Sequence, residues 1–281
     1  MVRSEVLRSV HEVSSMSSVL TTARRLRRDV GRNWRLLALL VGRELKVKYR
    51  SSFLGYLWSM LNPLLFMMII TFVFSRLMRG VEHYDIYVLS GVLFWNMTAM
   101  SIIGSTHSLV ANSGLLRKVR VPYWIFVVVP IGAAVVNCSL AFAPYAAIVL
   151  VKGLSVKPQM LGAPLVLVLY AAFLAGLGSI LATLNVYFRD VGHVVEPLLQ
   201  LGFYATPIIY DRRNPSIPEW AQNLLGLNPL VQFIDLFRSA LFSSEFFSWG
   251  AVLAAALSAA LSLGVAAVFY RHSVAKLSFR I

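Results

Sequence analysis

The strongest constraint on this chain is a series of apolar runs, each long enough to cross a bilayer as a helix. A hydrocarbon core about 30 Å thick needs about 20 helical residues. Six stretches qualify: residues 57–77, 86–108, 124–151, 161–184, 191–210 and 249–270. In lipid each backbone N–H and C=O must be satisfied internally, so such runs fold as helices. Composition removes the alternative of a soluble domain. The 281 residues are 58% hydrophobic and 14% charged, whereas ordinary soluble domains carry about 25% charge. The predicted fold class is an all-α integral membrane protein with six transmembrane helices. Pro197 and Pro207 interrupt the fifth span, which is tolerated where neighbours satisfy the freed groups.

No polar block after residue 55 is large enough to fold alone, so residues 31–281 read as one transmembrane domain behind a basic tail, 1–30. The tail's "RRLRRDVGR" leads only into the short patch "LLALLVG" before charge resumes, unlike a signal peptide. Six spans place both termini on one face. Assigning the segment before 54, the 111–123 loop, the 185–190 turn and the C-terminus to that face gives it 19 Lys+Arg, against 7 elsewhere. The positive-inside rule makes that face cytoplasmic. The net charge of +14 is concentrated beside the spans, which favours anionic membrane lipids over nucleic acid as a partner. Cys138 is the single cysteine and reads as a packing residue.

Catalytic chemistry is absent from the pattern. There is no G-x-x-x-x-G-K-[ST], H-E-x-x-H, C-x-x-C or G-x-S-x-G. His11, His83, His107, His193 and His272 are scattered without ligand spacing. No catalytic residue, metal or cofactor is expected in this chain. The spans also lack the buried charges of a proton-coupled pump, so a transporter built this way needs an outside energy source.

Three segments on the cytoplasmic side stand out. In residues 32–55, Trp34, Leu37, Val41, Leu45 and then Lys48 or Tyr49 recur at helical spacing between Arg35, Arg43, Lys46 and Arg50. That pattern predicts an amphipathic helix in the membrane plane. The loop "NSGLLRKVRVPYW" (112–124) combines Leu115, Leu116 and Val119 with Arg117, Lys118 and Arg120 and ends at Pro122. It fits either a groove in a partner or a plain positive stop. The turn "YFRD" (187–190) places Arg189 toward the cytoplasm and Asp190 where it can cap the next helix. Glu196 lies nearly two turns into an apolar helix, where an ionisable group faces a bundle interior or a wet cavity. On the outer side, residues 211–248 are too polar to span and too apolar for a free loop; short re-entrant helices between spans five and six are expected there.

These blocks resemble the membrane subunit of ABC-2 type polysaccharide exporters. The residues that carry the likeness are "RELKVKYRSSFLGYLWSMLNPL" (43–64), "LLRKVRVPYWIFVVVP" (115–130), "LNVYFRDVGHVVEPLLQLGFYATPIIY" (184–210) and "LNPLVQFIDLFRSALF" (227–242). The resemblance implies a homodimer in the bacterial inner membrane with two copies of a separate ATPase, which holds the ATP and Mg. It implies a channel for a polysaccharide on a polyprenyl-pyrophosphate carrier. It also implies that Arg43, Glu44, Lys46, Lys48, Tyr49 and Arg50, with Leu115, Leu116, Arg117, Lys118, Arg120 and Pro122, couple to the ATPase. Arg189 and Asp190 match the family's cytoplasmic turn and read as a second coupling contact.

Aromatic rings stack on sugar faces, which makes Tyr56, Trp58, Phe94, Trp95, Phe203, Tyr204 and Tyr210 candidates for a glycan channel. Belts of Trp and Tyr at membrane interfaces explain the same residues. A drug or lipid exporter of the wider family, and a membrane-embedded enzyme acting on polyprenyl lipids, are the competing functions. Arg outnumbers Lys 20 to 6, a composition that points to a GC-rich genome and to an actinobacterial cell-wall galactan as the glycan.

Overall fold

The computed structural model describes residues 33–50, 52–76, 81, 83–118, 121–154, 158–212, 214–215, 217–242 and 248–280, without the side chains of 242 and 273–280. The tail 1–30 and Arg120 therefore lie outside the described residues. All regular structure among the described residues is helical. It comprises α1 (33–48), α2 (Leu57–Phe74), α3 (Tyr84–Ala111), α4 (Ser113–Leu116), α5 (Tyr123–Val151), α6 (Ala163–Tyr187), α7 (Asp190–Tyr204), α8 (Glu219–Gly226), α9 (Pro229–Phe242) and α10 (Trp249–Arg280). Five of these segments are long and apolar enough to cross a membrane by themselves, in α2, α3, α5, α6 and α10.

α3 is the axis of the bundle. Its apolar stretch is 72% buried, against 11% for α2, so α2 still needs lipid or another surface against it. Gly and Ser residues along α3 let neighbouring backbones come close. Pro130 of α5 packs on Gly104, and Ile208 on Gly91. Several buried hydroxyls of α3 are satisfied by carbonyls: Ser105 Oγ donates to Val127 O at 2.7 Å and Thr106 Oγ1 to Ile102 O at 2.7 Å.

Contacts between helix ends fix the topology. Lys152 after α5 pairs with Asp85 at the start of α3 at 2.7 Å, which defines an upper pole. Gly192 at the start of α7 touches His107 near the end of α3, which places the α6–α7 turn at the lower pole. α3 and α6 descend and α5 ascends between them. α10 descends beside α6, with Ser262 against Gly176.

The span predicted at 191–210 is built in two pieces. α7 has 15 residues, about 22 Å of helix, too short to cross alone. Pro207 disfavours helix at the residue before it, and the chain runs on without helix to Tyr210. The contacts nevertheless follow α3 upward, from His107 with Gly192, through Trp95 with Gly202, to Tyr87 with Tyr210. They cover about 20 residues of α3, or about 30 Å.

α9 enters the bundle from above as a wedge. Phe237 lies 6.3 Å from Phe94 and 5.6 Å from Phe142, and Phe233 lies 5.0 Å from Tyr170, ring centre to ring centre. Phe94 is about ten residues, or about 15 Å, below the top of α3. α8 has no buried residue.

α1 departs from the flat orientation its pattern suggests. Leu40 packs on the Phe126 cluster, Val41 on Gly132, and Tyr49 Oη donates to Asn137 Oδ1 at 2.7 Å. The stripe of Leu40, Val41, Leu45 and Tyr49 thus climbs along α5, because Gly132 leaves a hollow for Val41. The helix leans on the bundle rather than lying across its base.

Candidate functional site

The three lower-pole segments singled out by sequence are gathered on one small apolar cluster. Leu109, Phe126, Val127 and Ala182 form its centre, and Leu40 of α1, Leu116 of α4 and Val186 of α6 pack onto it. α4 is only Ser113–Leu116, so it owes its position to Leu116 rather than to helix propensity. With Leu116 turned inward, Leu115, Arg117 and Lys118 face outward, and Phe188, Arg189 and Asp190 are exposed beside them. Pro122 occupies the N-cap of α5, where its missing N–H costs nothing. Arg43 and Glu44 border a groove of about 340 Å³ shared with His107, Ser108 and Phe126. Lys46 and Arg50 are exposed on the outer flank of α1.

Two residues expected on that face point elsewhere. Tyr49 bonds inward to Asn137, and Lys48 Nζ approaches Met100 Sδ at 3.4 Å. Met100 is about 16 Å above the lower end of α3, so Lys48 and Tyr49 are turned away from a partner docked on the base.

The cap expected of Asp190 is also supplied differently. Arg189 is the N-cap of α7, with no side-chain cap, and Asp190 is already in the first turn. Asn185 Oδ1 accepts from the Gly192 N–H at 2.9 Å, and its amide donates to Thr106 O at 3.0 Å. This buried asparagine (3% exposed) ties the turn to α3 and leaves the carboxylate of Asp190 in the open, where it still favours the helix N-terminus. Gly192 is required because a Cβ there would press on His107.

The aromatic candidates divide by environment. Phe94 is 2% exposed, stacked on Tyr170 at 4.3 Å and in contact with Phe237 at 6.3 Å; so buried, it has no face open to a sugar. Trp95 and Phe203 pack edge to face at 5.7 Å, and Phe66 of α2 meets Phe203 at 5.9 Å. Tyr56, Trp58 and Tyr204 are 42%, 42% and 67% exposed. Tyr210 Oη donates to Tyr204 O at 2.9 Å. Sequence reasoning missed a stripe on α7. His193, Glu196, Gln200 and Tyr204 are all exposed and follow the i, i+3, i+7, i+11 spacing of one helix face. Glu196 therefore lies on the protomer surface and not inside it.

Arg238 was likewise not anticipated. It is 7% exposed, in the middle of the α9 wedge. Its Nη1 donates to Pro207 O and to Tyr87 Oη at 2.6 Å each, and its Nη2 to Ile208 O at 2.9 Å. The guanidinium also lies 3.5 Å from the centre of the Tyr87 ring, a favourable cation–π placement. The signal was an arginine in an apolar amphipathic segment next to a proline-broken span: the break frees carbonyls that need donors. No group of three metal-ligating side chains occurs among the described residues.

Known proteins match this chain over most of these helices. Residues 35–242 match the profile of the family described as ABC-2 type transporter. The O-antigen export system permease protein RfbA of Klebsiella pneumoniae is 31% identical over 230 residues, 80% of this chain and 88% of the relative. RfbA of Myxococcus xanthus is 33% identical over 219 residues, 76% of this chain and 83% of the relative. The capsule polysaccharide export inner-membrane protein CtrC of Neisseria meningitidis is 24% identical over 251 residues, 85% and 87% of the two chains.

Proposed function

The chain belongs to the ABC-2 type transporter family, and from that premise we propose that it is the permease of an ATP-driven exporter that carries a lipid-linked polysaccharide outward across a bacterial inner membrane. The observation that carries this reading is the basal face: Leu115, Lys118, Phe188 and Arg189 are held outward by one cluster. That is what a separate ATPase needs in order to push on α3, α5 and α6 together. The ATPase supplies ATP and Mg, and two copies serve a homodimer of this chain. The exposed side of α2, 11% buried in its apolar stretch, supports the second copy. Both termini are cytoplasmic in this reading, the lower pole meets anionic lipid headgroups, and the α9 wedge is re-entrant from the outer leaflet.

The cargo pathway follows the stripe on α7. Polar side chains on the exposed face of a crossing segment are costly against lipid and suited to hydrated sugar. Tyr204, 67% exposed, offers a ring face on the same stripe. The relatives named for O-antigen and capsule export support a glycan cargo on a polyprenyl-pyrophosphate carrier, and the arginine-rich composition supports a cell-wall galactan.

In cells that depend on the chain for glycan export, the double change Glu196→Leu, Gln200→Leu cuts surface glycan by at least about tenfold at a normal membrane level of protein. Lipid-linked glycan accumulates inside. Normal surface glycan in this variant takes the stripe out of the pathway. Depletion of the chain that blocks efflux of an amphiphilic drug while glycan export continues points to the drug-exporter branch instead.

A further inference from the structure

Near the middle of the bundle, α1, α2, α3 and α5 enclose a side-opening cavity of about 270 Å³. Its polar groups come from all four helices or their ends: Lys48 at the end of α1 and Tyr49 just after it, Ser59 and Asn62 on α2, Asn96 on α3 and Asn137 on α5. Tyr49 and Asn137 satisfy each other, and Asn137 also donates to Ala133 O at 2.9 Å. Ser59 donates to Tyr56 O at 2.6 Å. The remaining three groups lack such partners. Asn62 and Asn96 are exposed on the protomer and have no hydrogen-bond partner among the described residues. The Lys48 ammonium meets only a thioether at 3.4 Å and the Tyr49 ring at 5.8 Å, and it forms no ion pair with a described residue.

Asparagine amides at this depth are expensive against hydrocarbon unless something pairs with them. Burial also pulls the Lys48 ammonium below its ordinary pKa, an effect that the charge of Glu44 only partly opposes. The cavity thus offers one cation and two amide donors with no anion among its lining residues. Its other walls are apolar, including Pro63, Leu93 and Met97. The complement of this set is an anion rich in acceptor oxygens that carries a hydrocarbon chain.

We infer that the cavity binds the phosphate or diphosphate of a lipid, with Lys48 as countercharge and the Asn62 and Asn96 amides as hydrogen-bond donors. Its assignment to the cargo's carrier rests on the exporter reading; its phosphate chemistry does not. Two sources share that chemistry, a polyprenyl diphosphate and the headgroup of a phospholipid. A lysine that the coupling pattern assigns to the ATPase would thereby hold the cargo end, against Met100 and about 16 Å above the lower end of α3.

The test measures binding of labelled polyprenyl diphosphate to the detergent-purified full chain with its co-purifying ATPase. Lys48→Gln weakens binding by about tenfold or more, the scale of a hydrogen bond to a charged group. Asn96→Leu and Asn62→Leu weaken it severalfold, and Arg271→Gln, which removes an exposed charge from α10, leaves it unchanged. Excess phosphatidylglycerol that fails to compete assigns the site to the carrier. Phosphatidylglycerol that competes equally, and whose own binding needs Lys48, assigns it to phospholipid headgroups. Wild-type affinity in Lys48→Gln and in both asparagine variants overturns the site and leaves the exporter reading standing. A wild-type complex that binds no polyprenyl diphosphate, yet holds phosphatidylglycerol through Lys48, overturns the carrier instead and keeps the phosphate site.

Discussion

Arg238→Met lowers the unfolding midpoint of the solubilised protein by roughly 5–10 °C, from a cost of about 3 kcal/mol. The methionine fills much of the same space but donates nothing. Pro207 O and Ile208 O, each receiving a guanidinium hydrogen bond within 3 Å, are left unsatisfied. They cannot find helical partners, since α7 ends at Tyr204. An unpaired buried acceptor costs about 1–3 kcal/mol, and two of them, plus the lost stacking on Tyr87, account for the effect. Arg238→Lys recovers only part of it, because one ammonium cannot reach both carbonyls and the Tyr87 hydroxyl in the planar fork geometry that arginine provides. Thermal unfolding followed by size-exclusion chromatography reads the shift. A midpoint equal to wild type in Arg238→Met would mean that the break in the fifth span is held by packing alone.

Gly176→Leu is expected to be as damaging, through a different mechanism. α6 and α10 meet at this residue, and a Cβ would run into the Ser262 backbone, 2.6 Å from its carbonyl oxygen. Backbone cannot rotate aside, so the helices must separate. Overpacking of this kind costs about 1–3 kcal/mol, and separation also endangers the 2.9 Å bond from Ser262 Oγ to Phe173 O. The variant should accumulate poorly in the membrane and elute broadly. Gly264→Ala, where a Cβ meets nothing within 4 Å, should behave as wild type and serves as the control. A Gly176→Leu protein with wild-type yield and midpoint contradicts the close approach of α6 and α10.

The long spans were readable because lipid leaves the backbone one solution, and length alone then finds α2, α3, α5, α6 and α10. Segment 191–210 was readable as apolar and as interrupted by Pro197 and Pro207, but not which proline ends the helix: Pro197 is absorbed inside α7, whereas Pro207 follows its end. Nothing local to residues 205–210 says that their carbonyls will be met by an arginine about 30 residues later. Arg238 and the α9 wedge are one device, and pattern reading separates its parts. Capping failed for a related reason. Asp190 has the right chemistry for an N-cap, but Asn185 is held by Thr106 of α3, a tertiary contact that no spacing within the turn encodes. Phe94 was a candidate because aromatic residues in a membrane chain look alike in sequence; only its stacking on Tyr170 separates core from channel. Lys48 shows the same limit. Helical spacing places it next to Tyr49 at the end of α1, yet whether that end meets the ATPase or the bundle depends on the lean of α1 along α5, which Gly132 permits.

The most direct test of the account is to purify the tagged chain from its own cells in mild detergent and measure ATPase activity in the eluate. The comparison is between wild type and the double change Leu115→Asp, Lys118→Glu. Both side chains are exposed on the base, so the variant should keep the wild-type unfolding midpoint. The account predicts a stoichiometric ATPase with the wild-type chain and loss of most of that activity from the variant. A wild-type chain that brings down no ATPase under conditions that hold ABC complexes together, or a variant that retains the full activity, would contradict it.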